Sequence, residues 1–227
     1  MGERMRKWAV RMLFSAALLV LGDPVTGTFG LKDEPLPDQV FMVGNEDGTG
    51  TGFLIEASGL VLTNQHVAGD SGTQEIISLG GGEYTGQVLE TNRYLDLALV
   101  RIEDFPGGEP LVLSDEPPER MEKVLTPVWT DDHPFEIREG TVQLLHQTAG
   151  IDDQEPAFSD FMISSTKLKP GMSGSPVIRT DTGEVIAVNT AIEPWSGISL
   201  SIPVTTVREV LDRWIGEHGE GGTFDGS

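Results

Sequence analysis

The sequence predicts an all-β fold, and three observations carry that reading. Roughly a dozen short runs rich in Val, Ile, Leu and Thr follow one another between Gln39 and Pro203, the composition of strands. Turn-forming residues separate them, drawn from 28 glycines and 14 prolines in 227 residues. A single segment near the C-terminus has helical periodicity. Many short strands and one helix describe a sandwich or a pair of barrels.

The elements follow in chain order. Residues 1–22 open with Arg4, Arg6, Lys7 and Arg11 against one acid, Glu3, and continue into the apolar run LFSAALLVL (13–21). A basic flank before a short apolar run is the order of a secretory signal peptide, with small residues Val20 and Gly22 suiting cleavage after Gly22. A retained anchor formed by residues 8–22 is the alternative, although the run is shorter than the ~20 residues of a bilayer-spanning helix. Residues 23–38, with three prolines and two glycines, read as an extended linker.

Strand-like runs then occupy VFMV (40–43), TGFLI (51–55), GLVLTNQHV (59–67), QEIISL (74–79), YTGQVLET (84–91) and LDLALVRI (95–102). FPGGEPLVLSDEPP (105–118) reads as a crossover. A second set follows: PLVLSD (110–115), KVLTPVWT (123–130), GTVQLLHQ (140–147), DFMISST (160–166), SPVIRT (175–180), EVIAVNTAI (184–192) and GISLSIP (197–203). AGIDDQEP (149–156) reads as an exposed loop. In 203–216, Val207, Val210, Leu211, Trp214 and Ile215 share one helical face, with Thr206 and Glu209 as a capping box and Gly216 as a stop. Residues 218–227 form a Gly-rich tail.

Composition excludes several classes of function. Without cysteine there is no disulfide, no thiolate metal site and no cysteine nucleophile. The net charge is −21, and residues 1–22 hold +3 of it, leaving −24 on the remainder. So acidic a body repels phosphate backbones and anionic lipid. Asp131, Asp132, Asp152 and Asp153 form acidic pairs with no histidine at ligand spacing, so no metal site and no cofactor are expected.

The chemistry centres on PGMSGSPVI (170–178), where Gly171 and Gly174 flank Ser173 on what must be a tight turn. A serine hydroxyl becomes nucleophilic only beside a base, which in turn needs an orienting acid and N–H donors for an oxyanion. Of four histidines, His218 falls in the polar tail, His133 in a DDHP turn and His146 in an alternating strand. His66 is delivered by the apolar strand LVLT into NQHVAG. Asp96 stands inside the apolar run LDLALVRI and, if buried, needs a partner. Arg93, Arg101 and His66 are the candidates.

The blocks GTGFLI…GLVLTNQHV, LDLALVRI and PGMSGSPVI resemble the His, Asp and Ser blocks of trypsin-like serine proteases. GEVIAVNTAI followed by GISLSIPVTTVREVL is similar to the HtrA/Deg family, and the likeness spans about 39–216. It implies two six-stranded antiparallel β-barrels of the chymotrypsin type, lobes 39–104 and 119–203, with helix 204–216 inside a protease domain 39–217. It also implies catalysis by His66, Asp96 and Ser173, an oxyanion hole from the N–H groups of Gly171 and Ser173, and an exported, periplasmic or secreted protein that cuts exposed or unfolded proteins. Many HtrA proteins carry PDZ domains after the protease. Eleven residues follow Gly216 here, so none is expected within this sequence.

The resemblance places substrate at Lys167, Leu168, Thr190, Ala191 and Ile192, with the last three offering an edge strand to an extended peptide. Leu168 and Ile192 imply a small aliphatic residue before the cut. Lys167 implies instead an acidic residue, as in glutamyl endopeptidases, and a catalytically silent peptide-binding relative is a third alternative. Partners are protein or peptide substrates, with homo-oligomerisation open.

Overall fold

The computed structural model describes residues 39–46, 48–78, 81–129, 136–149, 158–192 and 199–219. The expected signal or anchor, the linker, most of the 149–156 loop and the tail beyond Gly219 lie outside the described residues. Twelve strands form two closed antiparallel barrels, as the sequence led us to expect.

The first barrel contains β1 (Val40–Asn45), β2 (Gly48–Glu56), β3 (Leu60–Thr63), β4 (Thr73–Ser78), β5 (Glu83–Asn92) and β6 (Leu97–Ile102), in the spatial order β1-β2-β3-β6-β5-β4. A one-turn helix α1 (Gln65–Ala68) interrupts it after β3. The second contains β7 (Lys123–Val128), β8 (Glu136–Ala149), β9 (Phe158–Ser164), β10 (Pro176–Arg179), β11 (Val185–Ile192) and β12 (Ser199–Pro203), ordered β10-β11-β12-β9-β8-β7.

Alternation along the strands sorts side chains into separate cores. Phe41, Val43, Leu54, Val61, Ala98, Val100 and Ile102 fill the first barrel. Val124, Val142, Met162, Val177 and Ile186 fill the second. The opposite faces are buried too. Val40, Phe53, Leu60, Leu62, Leu97 and Leu99 join Phe161, Ile163, Ile178 and Val188 in one cluster drawn from both barrels. That is why β6 reads as a continuous apolar run and not as an alternating one: both of its faces are covered.

Residues 105–118 cross between the barrels without forming a strand, and Phe105 stands edge-on to Phe41 and Tyr84, with ring centroids 6.2 and 5.8 Å apart. Beyond the crossover, Arg179 is 7% exposed and bonds Glu122 at 2.7 Å and Glu184 at 3.2 Å.

The C-terminal helix α2 (Arg208–His218) starts and ends later than expected. Val207 is its N-cap, and no side chain caps it. The Thr206 hydroxyl donates to Asp160 on β9, so the capping box does not form. The helix runs past Gly216 to His218. Leu211 and Trp214 are buried in the cluster that spans both barrels, each burial contributing about 2–3 kcal/mol.

Candidate active site

β3 delivers His66 into α1, whose Val67 and Ala68 side chains are buried in the first barrel. The carbonyls at the end of so short a helix have no helical partners. Asn45 donates its amide to Val67 O (3.1 Å), and Gln74 donates to Ala68 O (2.9 Å). The short helix is therefore tied at its C-terminal end by β1 and β4.

Asp96 sits just outside β6, in the turn before it, and not within the strand as the run LDLALVRI suggested. Its φ is +51°, a left-handed conformation uncommon for a non-glycine residue, and the Asn64 amide fixes its carbonyl at 2.8 Å. The turn aims the carboxylate inward, where Asp96 is 2% exposed. Oδ1 accepts the backbone N–H of His66 at 3.0 Å, and Nδ1 of the ring lies 2.8 Å from Oδ2. An ionised carboxylate only accepts, so the ring donates its Nδ1 proton to Asp96. Arg93 pairs with Asp70, and Arg101 bonds Ser58 and the His218 carbonyl; of the three candidate partners, His66 has the carboxylate.

Thr190 completes the carboxylate's surroundings, a role the sequence did not reveal. β11 skips a register position between Asn189 and Ala191, and such a bulge re-aims the extra residue. The Thr190 hydroxyl donates to Oδ2 of Asp96, while its carbonyl accepts the Ser173 hydroxyl at 3.2 Å. The Thr190 side chain thus bonds Asp96, while the edge-strand role expected of this residue belongs to its backbone. His66, Asp96, Thr190 and Ser173 form one bonded chain across the two barrels.

The loop around Ser173 is built from positive φ at Gly171 (+92°) and Gly174 (+85°). A Cβ on Gly174 would stand 2.0 Å from Thr51 O and 2.4 Å from Thr63 Oγ1, so only glycine fits. Met172 N–H donates to Lys169 O, Gly174 N–H to Asn189 O and Ser175 N–H to Met172 O. Among the described residues, the N–H groups of Gly171 and Ser173 have no acceptor. Met172 is fully buried with Val128 and Leu168, and its sulfur accepts the Lys169 N–H at 3.1 Å. Lys167 is exposed. The side chains of Ala191 and Ile192 lie outside the described residues.

His146 and His218 are elsewhere. His146 is 81% exposed and bonds Asp160. His218, expected in a solvated tail, ends α2 at 18% exposure and bonds Glu90 at 2.9 Å. His133, Asp131, Asp132, Asp152 and Asp153 lie outside the described residues. Glu90, Glu217 and His218 bring ligand atoms within 4.8 Å of one another, but the Arg101 guanidinium already bonds the His218 carbonyl there. A pocket of about 720 Å³ lined by Glu46, Glu75, Glu83 and Tyr84 opens between β1, β4 and β5; it contains none of the four bonded residues. Among the described residues no helix is long and apolar enough to cross a membrane.

The trypsin-like peptidase domain family matches residues 50–188. The protein named serine protease HhoA of Synechocystis sp. is 30% identical over 203 residues, 84% of this chain and 48% of HhoA. A periplasmic serine endoprotease DegP-like protein of Chlamydia muridarum is 29% identical over 206 residues, 83% of this chain and 38% of its own length. The chain thus spans less than half the length of these relatives. The active form of the Rv3671c protease of M. tuberculosis superposes with a TM-score of 0.69 at 20% identity, covering 78% of this chain and 80% of that one, which speaks for the fold alone. The chain belongs to the trypsin-like peptidase domain family.

Proposed function

We propose that this chain is the catalytic domain of an exported serine endopeptidase that cuts exposed or unfolded segments of proteins. The observation that carries the reading is the bonded chain His66–Asp96–Thr190–Ser173, with two N–H groups beside its serine end that have no acceptor among the described residues.

Ser173 Oγ leaves the Thr190 carbonyl, gives its proton to Nε2 of His66 and attacks the scissile carbonyl. Asp96 holds the ring in the tautomer that accepts this proton and stabilises the imidazolium that forms. The N–H groups of Gly171 and Ser173 bind the oxyanion, and each such donor is worth about 10²–10³ in kcat. His66 returns the proton to the leaving amine, and water then clears the acyl-enzyme. An extended substrate pairs along β11 near Ala191, adding a strand to the sheet.

Before the cut we assign a small aliphatic residue, supported by the apolar packing of Leu168 with Val128 and Met172 and by the exposure of Lys167. Export through residues 1–22 is supported by their basic-then-apolar order and by the periplasmic name of a relative.

Casein digestion by the wild type and by Ser173→Ala tests the activity, with a fall of about 10⁶-fold expected. Equal digestion by both contradicts it. Mapping cut sites in a digested proteome tests specificity: cuts concentrated after Glu or Asp would replace the aliphatic assignment with an acidic one.

A further inference from the structure

Thr51 lies on β2 of the first barrel, yet its polar groups are bound into the loop that carries Ser173. It is fully buried. Its backbone N–H donates to Ser173 O at 2.8 Å, and its hydroxyl donates to Gly171 O at 3.1 Å. The same hydroxyl oxygen accepts the N–H of Trp129, just beyond β7, at 3.2 Å. Its carbonyl accepts the Thr63 hydroxyl at 2.7 Å. Gly50 before it is required by proximity: a Cβ there would stand 2.9 Å from Ser173 O and 2.6 Å from a Val67 methyl.

The pattern of peptide groups gives these contacts their meaning. The 171–172 peptide is held at both poles, its carbonyl by the Thr51 hydroxyl and its N–H by Lys169 O. The 173–174 peptide is held likewise, its carbonyl by Thr51 N–H and its N–H by Asn189 O. These two peptides alternate with the 170–171 and 172–173 peptides, which carry the N–H groups of Gly171 and Ser173 that have no acceptor among the described residues. Gly171, with no Cβ and a φ of +92°, has little steric resistance of its own to turning over. Removal of the hydroxyl strands a carbonyl and an N–H at once, the Gly171 acceptor and the Trp129 donor.

We propose that Thr51 is a positioning residue for the oxyanion hole: its hydroxyl, wedged between the Gly171 carbonyl and the Trp129 N–H, holds the nucleophile loop of one barrel from a strand of the other. The proposal rests on the reading of Ser173 as the nucleophile. Thr51 touches neither substrate nor reacting atoms and acts through Gly171 and Ser173.

The test is the rate of Ser173 labelling by a fluorophosphonate probe at several probe concentrations, which separates the maximal rate from the half-saturating concentration. Thr51→Val, isosteric but without the hydroxyl, is expected to lower the maximal rate about 10- to 100-fold, part of the loss of a whole oxyanion donor. Half-saturation should stay within about twofold, and Thr51→Ser should restore the rate. Thr51→Ala is measured alongside, with circular dichroism and thermal unfolding of every variant. A folded Thr51→Val or Thr51→Ala labelling at the wild-type rate overturns the proposal, as does a Thr51→Ser variant no faster than Thr51→Val. If neither hydroxyl-free variant folds while Thr51→Ser does, Thr51 is structural only and the proposal is overturned. A wild type that Ser173 labelling never touches overturns the nucleophile reading itself, an outcome distinct from a labelled wild type with an indifferent Thr51→Val.

Discussion

Asp96 accepts two hydrogen bonds from one residue: the backbone N–H of His66 at 3.0 Å and its ring Nδ1 at 2.8 Å. The carboxylate therefore fixes both where the histidine sits on α1 and how its ring is turned. The Thr190 hydroxyl supplies a third hydrogen bond, also to a nearly buried acceptor.

This arrangement separates the effects of two substitutions. Asp96→Asn should leave the fold intact and lower kcat about 10⁴-fold, because an amide can donate to Nδ1 and stabilise the wrong tautomer. Thr190→Val removes one bond to a charged acceptor, worth about 1.5–3 kcal/mol, and should lower kcat roughly 10- to 100-fold. Steady-state kinetics on a fluorescent peptide measures both. A Thr190→Val enzyme that loses only substrate affinity would return Thr190 to the substrate-binding role its sequence position suggests.

Gly174→Ala places a methyl where Thr51 O is 2.0 Å away, at a φ of +85°. We expect a loss of about 2–4 kcal/mol in stability and of nearly all activity, since the overpacked contact and the backbone strain fall on the Ser173 loop itself. Urea unfolding and casein digestion check the two effects. Unchanged stability would mean that the barrels meet less closely than described.

Arg179→Ala tests the ionic network that joins β10 to Glu122 and Glu184. Arg179 is nearly buried, and its removal leaves Glu122 and Glu184 facing an uncompensated site. A destabilisation of about 1.5–3 kcal/mol is expected in urea, because removing the buried guanidinium breaks charged hydrogen bonds to two partly buried carboxylates. A loss below about 1 kcal/mol would show that water replaces the guanidinium easily.

A surface pair behaves differently. Hydrogen bonding to the Arg93 guanidinium, helped by the Gln65 amide and the nearby positive charge, holds the Asp70 carboxyl below its ordinary 3.8 despite a small opposing cost of desolvation. With the folded value lowered, the unfolded chain binds the proton more tightly, so the pair's contribution is present above about 3.8 and lost as the pH falls through the folded value. Both groups are exposed, so the effect is small and screened by salt. The Tm difference between wild type and Arg93→Ala should shrink from pH 7 to pH 3 and also in 1 M NaCl. A difference that does not shrink between pH 7 and pH 3 contradicts the pairing.

Most of the fold could be read from the sequence because it depends on local signals, and the His, Asp and Ser blocks that meet at the candidate site were marked by their resemblance to trypsin-like serine proteases. Short apolar runs broken by Gly and Pro marked the strands, and paired glycines marked the turn at Ser173. What escaped depends on non-local geometry. Thr190 looked like one position in the even run EVIAVNTAI, and nothing there announces a bulge. Asp96 looked like a strand residue because Leu95 and Leu97 flank it, although a left-handed turn is what aims it inward. Thr206 matched a capping pattern, but its hydroxyl found Asp160, 46 residues away in sequence. Met172, beside Ser173, is explained by packing: its side chain fills an apolar site with Val128 and Leu168.

The most direct test of the central claim is mass-spectrometric mapping of fluorophosphonate labelling on the folded protein. A serine is labelled fast only when a base and an oxyanion hole activate it. Label is predicted on Ser173 alone, strongly reduced in His66→Ala. A folded wild type that takes no label at Ser173, or takes it equally well without His66, would contradict the account.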